Sequence, residues 1–204
     1  DEFIRIAADA GAQAVSVMVN SPNPQAPFPE TRADNLESVQ RALRETGLRV
    51  NNIECFMLTP YAVVENFRPA FAIGQQLGAI GATALVYDTD EDRVLTQLRQ
   101  LCDLGKEYGL RINLEFMAMT PRWNSLTTAA GLIRQVGKDN LGLAVDQLHF
   151  VRSGSTLADL AKVPADIIYY AQLCDSLDVS ANQDYAHEAS AERLTPGAGK
   201  FAIR

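Results

Sequence analysis

Three oxygen-bearing side chains recur along this sequence at nearly equal intervals: Glu115 ends "RINLE", Asp146 ends "GLAVD", and Gln172 lies in "IIYYAQLCD". The steps between them are 31 and 26 residues. Each follows a short apolar run, where a carboxylate or amide is costly to bury alone. Converging carboxyl and amide oxygens suit a hard divalent cation, Mg²⁺ or Mn²⁺, better than a metal that prefers thiolates, with Co²⁺ or Zn²⁺ as further candidates. Taken singly, each group can be a solvated strand end or the N-cap of the next helix. Three at one spacing argue for a shared site. His149 and Arg152 follow Asp146 in "VDQLHFVRSG". The imidazole can face what the oxygens hold or be a satisfied surface group, and the guanidinium can do the same or pair with a neighbouring acid.

Such residues meet only if the elements beneath them repeat. "RETGLRVNNIECF" (Arg44 to Phe56) has an echo in "KEYGLRINLEFM" (Lys106 to Met117), with Gly47 and Gly109 each standing between a helical pattern and an apolar run. Gly11, Gly81 and Gly137 precede apolar runs in the same manner, which gives a step of about 31 residues, one helix plus one strand. Glycine suits a helix end because it adopts the left-handed conformation without a Cβ penalty. Leu36, Val39 and Leu43 share one helical face, as do Val94, Leu98, Leu101 and Cys102. Strands are predicted near 14–19, 49–55, 82–87, 110–115, 141–146 and 166–174. Their nearly continuous apolar character fits parallel strands covered on both faces.

This α/β alternation leaves an open doubly wound sheet or a (β/α)₈ TIM barrel. The step matches a barrel of about 250 residues in eight units, and no GxGxxG follows a strand to favour the dinucleotide-binding alternative. The expectation is a single TIM-barrel domain over residues 1–204, incomplete at both ends, with its first and last strands outside the sequence; a six-stranded open sheet is the rival. In a barrel, Glu115, Asp146 and Gln172 reach the C-terminal mouth, where active sites of this fold lie. Glu54 ends its strand in the echo of Glu115 and points to the same mouth.

A net charge of −7 without any Lys/Arg run argues against nucleic acid as a partner. No apolar run approaches the roughly 18 residues of a membrane span, and the first residues lack a signal-peptide pattern. Cys55, Cys102 and Cys174 are few, far apart and outside any CxxC, which fits a reducing cytoplasm. A small molecule is the expected ligand, and rim helices leave a homodimer open. Two loops would shape its choice. "MAMTPRWN" carries Arg122 and Trp123 to the mouth, unless Trp123 packs over a helix end. A long polar loop after Gln172 carries Asp175, His187, Glu188 and Arg193 and ends in Gly197 and Gly199, a weak signal for a phosphate cradle.

"LEF", "VDQLHFVRSG", "YAQLCD" and "RLTPGAG" resemble the xylose-isomerase-like TIM-barrel superfamily of sugar isomerases and epimerases, from Glu2 to about Ile203. The resemblance implies Glu115, Asp146 and Gln172 as metal ligands, Gln172 standing where many relatives carry His. It implies His149 on the substrate oxygens, Arg193 at an anionic or hydroxyl-rich end, Arg152 and Glu54 as substrate contacts, and a fourth ligand, a Glu, on a strand beyond Arg204; Trp123, at the mouth by its loop, is a further candidate substrate contact. Ala198 departs from the family's usual Gly-Glu-Gly. The chemistry implied is proton transfer next to a carbonyl through a metal-stabilised enediolate, with Glu115 and the missing Glu as acid and base. Isomerisation, epimerisation and a 3-dehydroshikimate-type dehydration can all use that site. A metal nuclease is disfavoured by the acidic charge and two histidines, and a barrel that binds sugar without turnover is the non-enzymatic alternative.

Overall fold

A computed structural model of the chain describes residues 1–21, 30–178 and 184–201. The end of the family resemblance, near Ile203, and residues 179–183 of the long polar loop lie outside the described residues.

Six parallel strands form one sheet in chain order: β1 (Ala14–Met18), β2 (Arg49–Leu58), β3 (Gly81–Val86), β4 (Arg111–Glu115), β5 (Leu141–Asp146) and β6 (Ile168–Gln172). Helices alternate with them: α1 (Glu2–Asp9), α2 (Leu36–Thr46), α3 (Arg68–Gln76), α4 (Glu91–Glu107), α5 (Leu126–Val136), α6 (Gln147–Arg152), α7 (Leu157–Leu160) and α8 (Tyr185–Ala191). No helix among the described residues is long and apolar enough to cross a membrane.

The sheet curls strongly. In a flat sheet β2 and β6, four strands apart, would be separated by about 19 Å. Here the Asn52 amide on β2 lies 3.4 Å from the Tyr170 hydroxyl on β6, and Thr83 Oγ1 on β3 lies 3.0 Å from the same hydroxyl. This is the wall of a TIM barrel lacking some strands, as the helix–strand step predicted.

Side-chain alternation explains both surfaces of that wall. On β4, Ile112 and Leu114 are buried in the main apolar core with Leu98 and Leu101 of α4 and Leu126 and Leu132 of α5. Asn113 and Glu115 take the opposite, concave face, where Asn113 donates to Asn52 of β2.

The left-handed helix ends fall at Gly47, Gly109 and Gly137 as expected, and at Gly11. Gly81 is a correction. The left-handed residue after α3 is Gly78 (φ +70°), while Gly81 opens β3 itself. Its small size serves packing instead: a Cβ there would lie 2.5 Å from Asn113 Nδ2.

Candidate active site at the barrel mouth

Strand register sets the depth of each group. Glu115 is level with Leu85 and Ala144, whereas Asp146 pairs with Gln172 one inward-facing step nearer the mouth. Such stagger is what strand tilt produces in a barrel. Glu54 shares the concave face with Asn52, two residues before it on β2, and accepts its amide N–H at 3.0 Å.

Asp146 is sealed from solvent and caps α6. Its Oδ1 accepts the His149 backbone N–H at 3.2 Å and its Oδ2 accepts Arg193 Nη1 at 2.6 Å. The cap sends the chain round one tight turn, so the His149 ring returns over the strand ends, with Nε2 3.8 Å from Glu115 Oε1. His149 Nδ1 and Gln172 Oε1 are both buried without a hydrogen-bond partner among the described residues.

Charge is poorly balanced here. Burial, then the Asp146 and Glu54 carboxylates, push the Glu115 carboxyl up to about 8. Burial also raises Glu54, against the lowering effect of the Asn52 hydrogen bond and Arg193. Burial lowers His149 to about 4, Arg193 adding to the fall while Asp146 opposes it, so the ring is neutral at neutral pH. Three acids thus face one guanidinium, and an amide oxygen beside them lacks a donor.

The structure brings Glu54, Glu115, Asp146, His149, Gln172 and Arg193 to one mouth. It does not bring Arg152 there. That guanidinium is committed to Glu188, with Nε 2.9 Å from Oε2, and to the Leu177 carbonyl at 2.7 Å. Trp123 is 8 % exposed and joins the apolar core, with the Arg122 guanidinium 4.5 Å from its ring centre. The alternative kept open for Arg152, an ion pair with a neighbouring acid, describes what it does, whereas Trp123 packs into the apolar core.

Sequence reasoning missed the layer beneath the acids. Asn52 donates to Thr83 Oγ1 at 2.7 Å and accepts from Asn113 at 2.8 Å, and Tyr170 closes the layer from β6. A signal was present: "NIE" on β2 and "NLE" on β4 repeat the same Asn-apolar-Glu order.

A model of the xylose isomerase-like TIM barrel family matches residues 4–203. The chain belongs to this family. Within the xylose isomerase-like TIM barrels, it is 30% identical over 107 residues to an inosose isomerase of Halalkalibacterium halodurans, a match covering 52% of this chain and 36% of the relative. A 3-dehydroshikimate dehydratase of Pseudomonas aeruginosa is 29% identical over 125 residues, covering 61% of this chain and 18% of that protein. The chain spans less than half the length of these curated relatives. Among solved structures, the IOLI protein with a binding zinc atom superposes with a TM-score of 0.80 at 17% identity, over 98% of this chain and 75% of that one. This last likeness is one of fold.

Proposed function

We propose that this barrel mouth belongs to a divalent-metal-dependent isomerase or epimerase of a small sugar, sugar phosphate or hydroxy-keto acid. The observation that carries the reading is the convergence of Glu115, Asp146 and Gln172 from three adjacent strands, with Gln172 Oε1 buried and without a hydrogen-bond partner among the described residues. Among the described residues no three His, Cys, Asp or Glu side chains cluster as a metal site; in the proposed set the third donor is the amide. The donor chemistry fits a hard cation: all are oxygens, and Glu115 is held up to about 8 by burial and neighbouring carboxylates, a cost that a cation would relieve. Glu115, Asp146 and Gln172 would hold it, and when bound it would polarise the carbonyl and hydroxyl oxygens of a substrate.

The chain's own groups supply the rest. Glu115 takes or returns the proton at the carbon next to the carbonyl. His149, neutral and facing Glu115, hydrogen-bonds the substrate oxygen on which charge develops. Arg193 binds a hydroxyl-rich or anionic end of the substrate, and Glu54, braced by Asn52, contacts the same substrate. The inosose isomerase relative supports isomerisation. The dehydratase relative supports a second reading, loss of a β-hydroxyl as water from the same enolate. Three buried free cysteines are in keeping with a reducing compartment such as the cytoplasm.

The test is titration of the protein with Mn²⁺ and Mg²⁺ beside Glu115→Ala and Asp146→Ala. About one ion is expected for the unaltered chain and none for either variant. Turnover of inososes and ketoses then supports the isomerase, water loss from 3-dehydroshikimate alone supports the dehydratase, and absence of metal uptake leaves a non-catalytic sugar-binding barrel.

A further inference from the structure

The glycine pair of "RLTPGAG" closes round a carboxylate of its own chain. Asp175, three residues beyond Gln172, is 1% exposed. Its Oδ1 accepts the backbone N–H groups of Ser176 and Phe201, both at 2.9 Å, and its Oδ2 those of Gly197 at 3.0 Å and Gly199 at 2.8 Å. These are the donors that a phosphate cradle would need, and all four are already taken. Gly197 sits at φ +90°, and a Cβ on Gly199 would lie 2.3 Å from Asp175 Oδ1, so both positions require glycine.

The same residue also holds the chain through its backbone. Asp175 and Leu194 form an antiparallel bridge in which each N–H donates to the other's carbonyl at 2.8 Å. Leu194 directly follows Arg193, whose Nη1 reaches Asp146 Oδ2 at 2.6 Å while its Nε donates to the Ala189 carbonyl of α8 at 2.7 Å. From the other side, Glu188 of α8 is buried against Arg152 and the Ser176 hydroxyl. Arg193 is therefore suspended between two anchored points, and the nearer is the one built on Asp175.

We propose that Asp175 is a positioning residue, which holds the segment from Leu194 to Phe201 so that the Arg193 guanidinium stays on Asp146 and faces the barrel mouth. A long Arg side chain has many rotamers open to it, so its direction depends on where its backbone is pinned. The inference rests on Arg193 being the cation of the proposed site, but the measurement below reads its position and not turnover, so either idea can fail alone.

The experiment is modification of the chain by phenylglyoxal, followed by peptide mapping to give a rate for each arginine. In the unaltered protein Arg193 is expected to react at least tenfold more slowly than the exposed Arg49. Asp175→Asn keeps the size but turns one acceptor into a donor facing N–H groups. In this variant Arg193 is expected to react about tenfold faster, while Arg93, paired with Asp88 away from the segment, keeps its rate. A folded Asp175→Asn protein with Arg193 still slow overturns the proposal, as does a fast Arg193 in the unaltered chain. If Asp175→Asn does not fold, Asp175→Ser, which retains an acceptor, decides by the same comparison. Failure of both to fold makes Asp175 a folding residue and ends the proposal.

Discussion

Arg193 Nη1 lies 2.6 Å from Asp146 Oδ2, so the sealed carboxylate at the end of β5 takes its cation from 47 residues further along the chain. Breaking this pair leaves Asp146 buried beside Glu115 and Glu54 with no contacting guanidinium. Arg193→Ala is expected to destabilise the fold by about 2 kcal/mol, less than the loss of a fully buried pair because the Arg193 side chain is 31% exposed. Urea denaturation near neutral pH measures it. Arg193→Lys, which keeps the charge, should cost less.

Glu115 makes stability depend on pH in a direction opposite to that of an ordinary surface acid. Its folded value, about 8, exceeds the unfolded 4.5, so between them the folded chain holds the extra proton. Its contribution is complete below pH 4.5 and is lost as pH rises through 8. Glu115→Gln removes that loss. In metal-free buffer the variant should exceed the unaltered protein by about 5 kcal/mol at pH 9 and match it at pH 4, in paired thermal melts. Equal pH profiles would show that Glu115 does not titrate as its burial demands.

Arg152 and Glu188 form a pair whose side chains are 6% and 1% exposed. Arg152→Ala strands a buried carboxylate and should cost about 3 kcal/mol or more. Replacing both, as Arg152→Met with Glu188→Leu, should recover a large part of that cost. A double-mutant cycle by urea denaturation gives the coupling, and additive losses would count against a shared buried pair.

Asn52 ties four strands of the inner layer together and braces Glu54. Asn52→Ala should cost about 2 kcal/mol through stranded partners and a cavity. It should also raise the Glu54 carboxyl further, since the Asn52 hydrogen bond is the largest influence lowering it. Carbon-13 titration of the glutamate carboxyls reads that shift. An unmoved Glu54 would remove Asn52 from the site.

Much of the fold was legible because its signals are local. A helix end that needs a left-handed glycine and a short, nearly continuous apolar strand repeat in a chain wherever the same unit repeats. Those rules put Glu115, Asp146 and Gln172 at strand ends and, in a barrel, at one mouth before any contact was known. Gly81 was misread for a local reason too: Gly78 stands three residues before it, and spacing alone does not say which caps the helix and which clears room for Asn113.

What only the tertiary structure decided is which polar groups meet across long separations. The curl of the sheet brings Tyr170 to Asn52, 118 residues away, and Asp175 anchors the segment that returns Arg193 to Asp146. Arg152 was open to a neighbouring acid or to the substrate, and Glu188 of α8, 36 residues further along, holds it. Residue type and spacing determine which chemistry a side chain can do. Its partner is chosen by the path of the chain and by the cost of leaving any buried charge alone.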